Sequence, residues 1–85
     1  MERETLIKNL EKKGVIVRGN TEEFDNSKGG IWISAEYLEN EYYFDYYATG
    51  KMYELGIRTT MDDFLGKRGW YAEWYDPGTI MLWEM

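Results

Sequence analysis

The chain has no histidine and no cysteine. The first absence removes imidazole acid–base catalysis, the Ser-His-Asp and Cys-His nucleophile systems and histidine-held metals. The second removes disulfides and thiolate metal sites, and fits a reducing, cytoplasmic setting. Uninterrupted apolar sequence is equally scarce. The longest such run is Ile80-Met81-Leu82-Trp83, far short of a membrane span. No phosphate-cradling glycine loop, calcium-loop spacing or lipidation motif is present, and the Gly29-Gly30 pair has no meaning by itself. These absences predict a non-enzymatic protein without cofactor or metal.

Basic residues are few, and their distribution matters more than their number. Ten Lys and Arg stand against sixteen Asp and Glu, for a net charge of −6. Residues 1–28 balance, and residues 51–68 are slightly basic. Residues 29–50 hold Glu36, Glu39, Glu41 and Asp45 with no base, and residues 69–85 hold Glu73, Asp76 and Glu84 with no base. Nucleic acid and anionic membranes both require a basic footprint, so neither is expected as a direct partner. Lys8, Lys12 and Lys13 read as a solvated helix face, the last two complementing the helix dipole.

Aromatic residues, in contrast, are abundant: four Trp, eight Tyr and three Phe in 85 residues. Each can bury about 150–250 Å², enough for a chain this short to build a core as a single domain over residues 1–85.

Periodicity predicts the elements. Leu6, Ile7 and Leu10 form an apolar stripe over residues 2–13, closed by Gly14. Val15-Ile16-Val17 reads as a short buried strand. Residues 21–30 read as a loop, with Phe24 tucked back onto the core. Residues 31–37 and 42–48 alternate and form a hairpin if Glu39-Asn40 is the turn, so that Tyr37 faces Tyr42, Ala35 faces Phe44 and Ile33 faces Tyr46. Met52–Leu55 is a candidate third strand. Thr60-x-x-Asp63 resembles a capping box opening a helix with Met61, Phe64 and Leu65, closed by Gly69. A second hairpin joins Trp70–Tyr75 to Ile80–Trp83 around Asp76-Pro77-Gly78-Thr79, with Trp74 opposite Met81. The expected fold is α+β: an antiparallel sheet of about five strands with two short helices on one face, in the order α-β-β-β-(β)-α-β-β.

In that register Ile31, Ile33, Ala35, Tyr37, Tyr42, Phe44 and Tyr46 form the core face of the first hairpin, and Trp32, Glu36, Glu41, Tyr43, Asp45 and Tyr47 share its outer face. Carboxylates interleaved with aromatics suit a cationic partner, through long-range attraction and cation–π contact. The leading expectation is a protein-binding module that docks on the basic, nucleic-acid-binding surface of another protein, as an inhibitor would. A small-molecule or carbohydrate binder that stacks on the same aromatics is the alternative. Self-association through a sheet edge is a third reading. The same face would form a second small core if a loop or the terminal hairpin covered it. Glu36 diagonal to Asp45 resembles a glycoside-cleaving carboxylate pair, but so short a chain has little material for a deep cleft. Asp62-Asp63 reads as dipole compensation at a helix start.

The helix–strands–helix order resembles that of double-stranded-RNA-binding domains. Thr60-Met61-Asp62-Asp63, however, puts acid where such a domain needs positive charge, so no RNA-binding role carries over. Small acidic inhibitors from phages and mobile elements are similar in size, charge and aromatic content, not in motif.

Overall fold

A computed structural model describes residues 1–85. The fold is α+β, but its elements differ from the periodicity-based expectation in number and partnering. Four helices are present: α1 (Arg3–Lys12), α2 (Thr21–Asp25), α3 (Leu38–Glu41) and α4 (Thr59–Gly66). The main sheet is wholly antiparallel and has four strands in the order β1-β2-β6-β5, where β1 is Gly19–Asn20, β2 Ile31–Ser34, β5 Trp70–Asp76 and β6 Thr79–Glu84. Strands β3 (Tyr53–Glu54) and β4 (Ile57–Arg58) form a separate two-stranded ribbon. No helix is long and apolar enough to cross a membrane.

One face of the main sheet carries the core. Ile31 and Ile33 of β2 lie opposite Leu82 and Ile80 of β6, and Trp70 of β5 joins them. Leu6 and Leu10 of α1 and Met61 and Leu65 of α4 cover this face, with Phe44 and Ile57 completing it. Burying each such side chain contributes about 1.5–3 kcal/mol before entropy is counted. Trp70 also donates its indole N–H to the Met1 carbonyl at 2.7 Å, tying the start of α1 to β5.

The opposite face is partly covered by α2 and its loop, a segment expected to be irregular. Thr21 is fully buried; its Oγ1 donates to the Ser27 carbonyl and accepts from the Gly30 N–H, both at 2.9 Å. Gly30 is required by close approach, since a β-carbon there would lie 2.7 Å from the Trp83 ring. Arg3 Nη1 meets Glu22 Oε1 at 2.7 Å, and Glu22 Oε2 accepts from the Gly29 N–H at 2.9 Å. That backbone bond, helped by the Glu22 amide and by Arg3, holds the Glu22 carboxyl below its usual range. Phe24 folds back onto this opposite face rather than onto the core, packing edge-on against Trp32 and Tyr75 at 4.9 Å each.

The first expected hairpin does not form. After β2 the chain turns through residues 35–37 into the single turn of α3, and residues 42–48 make only one isolated bridge, Phe44 to Ile57. Glu39-Asn40 is therefore helix rather than turn, and the pairings of Tyr37 with Tyr42, Ala35 with Phe44 and Ile33 with Tyr46 are replaced by β2–β6 pairing. Asn40 explains the change: it is completely buried and hydrogen-bonded to the Ile16 and Ser34 backbones, so residue 40 cannot sit at an exposed tip. The core assignments of Ile31, Ile33 and Phe44 survive, whereas Tyr42 and Tyr46 are 56% and 46% exposed.

Four smaller expectations are also corrected. Val15–Val17 forms no strand and lies outside the ladder, which begins at Gly19. No side chain caps α4, so Thr60 and Asp63 make no capping box; the cap falls two residues earlier, at Arg58, and the helix starts at Thr59. In the β5–β6 hairpin Trp74 faces Ile80, and Met81 faces Glu73. A bulge between Trp74 and Asp76 supplies the one-residue slip, placing Ile80 and Leu82 on the core face and Trp83 on the other. The Met52–Leu55 strand shrinks to Tyr53–Glu54, paired with β4 across Leu55-Gly56. Both turn residues have positive φ, 52° and 77°, as a two-residue type I′ hairpin demands.

Candidate partner-binding surface

Pairing of β2 with β6 brings the Pro77-Gly78 turn against the chain leaving β2, and the two segments wall a shallow cleft of about 360 Å³. The Ala35 N–H donates to the Gly78 carbonyl at 3.0 Å, extending the ladder to the rim. Gly78 matters here for its missing side chain: a β-carbon would sit 3.2 Å from the Glu36 side chain, which lies across it. Glu41, at the end of α3, and Asp45, just past Phe44, bring two more carboxylates to the same cleft. Asp45 is held by its backbone, whose N–H donates to the Gly56 carbonyl at 2.8 Å, while its Oδ1 accepts from the Tyr47 N–H at 3.2 Å. Tyr46 and Tyr47 close the wall, their rings edge-on at 5.2 Å.

Glu36, Glu41 and Asp45 make no ion pair; the one salt bridge of the chain joins Arg3 to Glu22. Arg58, whose backbone N–H donates to the Tyr43 carbonyl at 2.9 Å beside this segment, is engaged elsewhere. Its guanidinium stacks 3.9 Å from the Tyr42 ring and donates to the Tyr53 hydroxyl at 3.2 Å. No group of three or more Asp or Glu side chains is gathered closely enough to hold a metal ion.

Of the six residues expected to share one face, Glu36, Glu41, Asp45 and Tyr47 do line one cleft, although not through strand alternation. Trp32 lines a second cleft of about 330 Å³ with Ser34, Tyr37 and Thr79, and Glu36 borders both. This second cleft is not free of base: Arg18 stacks 5.2 Å from the Trp32 ring and donates to the Tyr37 hydroxyl at 2.9 Å. Trp32 is thus half-buried among Phe24 and Arg18, the second small core anticipated for it, while Tyr47 stays 77% exposed. Tyr43 leaves the group altogether. It is half-buried against the core, edge-on to Tyr42 at 4.9 Å and to Phe44 at 6.5 Å.

Sequence reasoning missed Tyr46, which it placed in the core, and Pro77-Gly78, which it read only as a turn. Tyr46 packs edge-on against Trp74 at 5.2 Å, and both line an apolar cleft of about 430 Å³ with Leu55. Nothing local in the sequence announces these neighbours, because they are joined by long-range pairing. No family model, no curated protein and no solved structure matches this chain.

Proposed function

We propose that the protein is a non-enzymatic binding module whose Glu36/Glu41/Asp45 cleft docks on a basic surface of another protein. The observation that carries this reading is the set of three carboxylates around one cleft with no cation paired to any of them. Unpaired negative charge attracts a cationic partner at long range, and the adjoining exposed Tyr46 and Tyr47 offer rings for Arg or Lys at about 0.5–2 kcal/mol per contact. A partner whose basic surface binds nucleic acid fits the same chemistry, and the module would then act as an inhibitor by occupying that surface.

A second reading, a carbohydrate or small-molecule site, draws on the Trp32 cleft with its Ser34, Tyr37 and Thr79 neighbours. Stacking of Arg18 on the indole weighs against it, because a sugar would need that ring face.

The test uses a fluorescent oligo-arginine peptide, titrated in low and high salt against the unmodified protein and two double variants of equal charge change. Glu36→Lys with Asp45→Lys is expected to abolish binding. Glu4→Lys with Glu11→Lys, on α1, is expected to leave most of it. Equal losses from both variants would mean that only net charge is read and that the cleft has no special role. Salt-insensitive binding would favour the stacking site instead.

A further inference from the structure

We propose that two copies of this chain associate by pairing their β5 strands antiparallel across a two-fold axis at Ala72, making one continuous eight-stranded sheet. β5 is the long outer strand of the sheet, hydrogen-bonded only to β6. The opposite edge differs: β1 has two residues and runs directly into α2. The phase of the β5–β6 ladder is fixed by the Met85 N–H, which donates to the Gly69 carbonyl at 2.8 Å. In an antiparallel ladder, residues that exchange bonds with the neighbour alternate with residues whose N–H and C=O point away. With Gly69 opposite Met85, Tyr71 and Glu73 turn toward β6, and Trp70, Ala72 and Trp74 turn their backbone groups outward. No backbone hydrogen bond from outside the ladder reaches any of these three residues. The usual guards of an open edge, Pro and Lys, are absent between 70 and 74, and the bulge comes only after Trp74.

Only outward-facing residues can be hydrogen-bonded to a new strand, which restricts the registers. Centring on Glu73 would set two like charges face to face, a destabilising cross-strand pair. Centring on Tyr71 would drive Trp74 onto Arg68, whose carbonyl already accepts from the Met1 nitrogen at 3.1 Å. Centring on Ala72 uses all three outward residues, pairs Trp70 with Trp74 of the second copy, and sets each Glu73 beside the Tyr71 hydroxyl opposite. Tyr71 and Tyr75, 43% and 58% exposed on the face beside this edge, supply apolar surface for the second copy to cover.

The chain has no cysteine, so introduced thiols report position unambiguously. Sedimentation equilibrium of the unmodified protein is expected to show a monomer–dimer equilibrium. Under mild oxidation, an equimolar mixture of Tyr71→Cys and Glu73→Cys is expected to crosslink several-fold more than either variant alone, or than either mixed with Glu11→Cys. An unmodified protein that stays monomeric up to the millimolar range overturns the proposal. Efficient crosslinking of Glu73→Cys by itself also overturns it, since that requires the other register.

Discussion

Asn40 binds Ile16 as a neighbouring strand would: its Oδ1 accepts from the Ile16 N–H at 2.8 Å, and its Nδ2 donates to the Ile16 carbonyl at 2.9 Å. The same Nδ2 also donates to the Ser34 carbonyl at 2.8 Å. One fully buried side chain thus joins the segment before β1, the end of β2 and α3. Each of these backbone groups would be costly to leave unpaired, about 1–3 kcal/mol apiece. Asn40→Ala is therefore expected to lose more than about 3 kcal/mol in denaturant unfolding. Asn40→Asp should be similarly harmful, because an oxygen would replace the donor facing two carbonyls. A loss below about 1 kcal/mol for either variant would mean that water substitutes freely at this point.

Phe44 and Tyr47 lie three residues apart and are expected to respond oppositely. Phe44 is fully buried, so Phe44→Ala should cost about 3–5 kcal/mol, enough to unfold a domain of this size. Tyr47→Ala should stay within about 0.5 kcal/mol in stability while weakening the oligo-arginine complex. Chemical denaturation of both variants separates the core from the cleft wall.

Leu55 holds a left-handed backbone with φ of 52° while its side chain is 85% exposed. A branched apolar residue in that conformation costs about 1–2 kcal/mol, and asparagine tolerates it better. Leu55→Asn is expected to raise stability by about 1 kcal/mol without moving the Trp74 indole N–H from the Leu55 carbonyl, to which it donates at 2.7 Å. An unchanged melting temperature would show that the side chain has packing value that offsets the strain.

Asp62 carries a carboxyl pushed above its ordinary 3.8 by partial burial, and further by Glu54 and Asp63. A carboxyl raised in the folded state favours folding below its unfolded value, and that contribution is lost as pH rises through the folded value. At neutral pH the charged form is therefore a penalty. Asp62→Asn is expected to raise the melting temperature at pH 7, with the advantage shrinking to nothing in acid below the ordinary value. A pH-independent difference between the two proteins would assign the effect to packing.

Several features were legible in the residues because their causes are local. The α1 stripe of Leu6 and Leu10 with its Gly14 stop, the inward alternation of Ile31 and Ile33, the burial of Phe44 and the turn at Pro77-Gly78 all follow from periodicity or from φ preference within a few positions. The concentration of unpaired acid in residues 29–50 is likewise a property of the sequence.

The partner of β2 was not legible. Its alternation matched residues 42–48 as well as it matched β6, and side-chain period alone cannot distinguish a neighbour in sequence from one nearly fifty residues away. The sequence by itself determined which side chains are apolar enough to be buried and where charge lies uncompensated. Only the tertiary structure decided that Asn40 would be spent inside, which unmade the first hairpin. It also decided that β6 would take the vacant place beside β2, carrying Pro77-Gly78 to Glu36. The physical reason is that burying a polar amide is favourable only when three backbone partners converge on it, and that convergence exists only once the whole chain has folded.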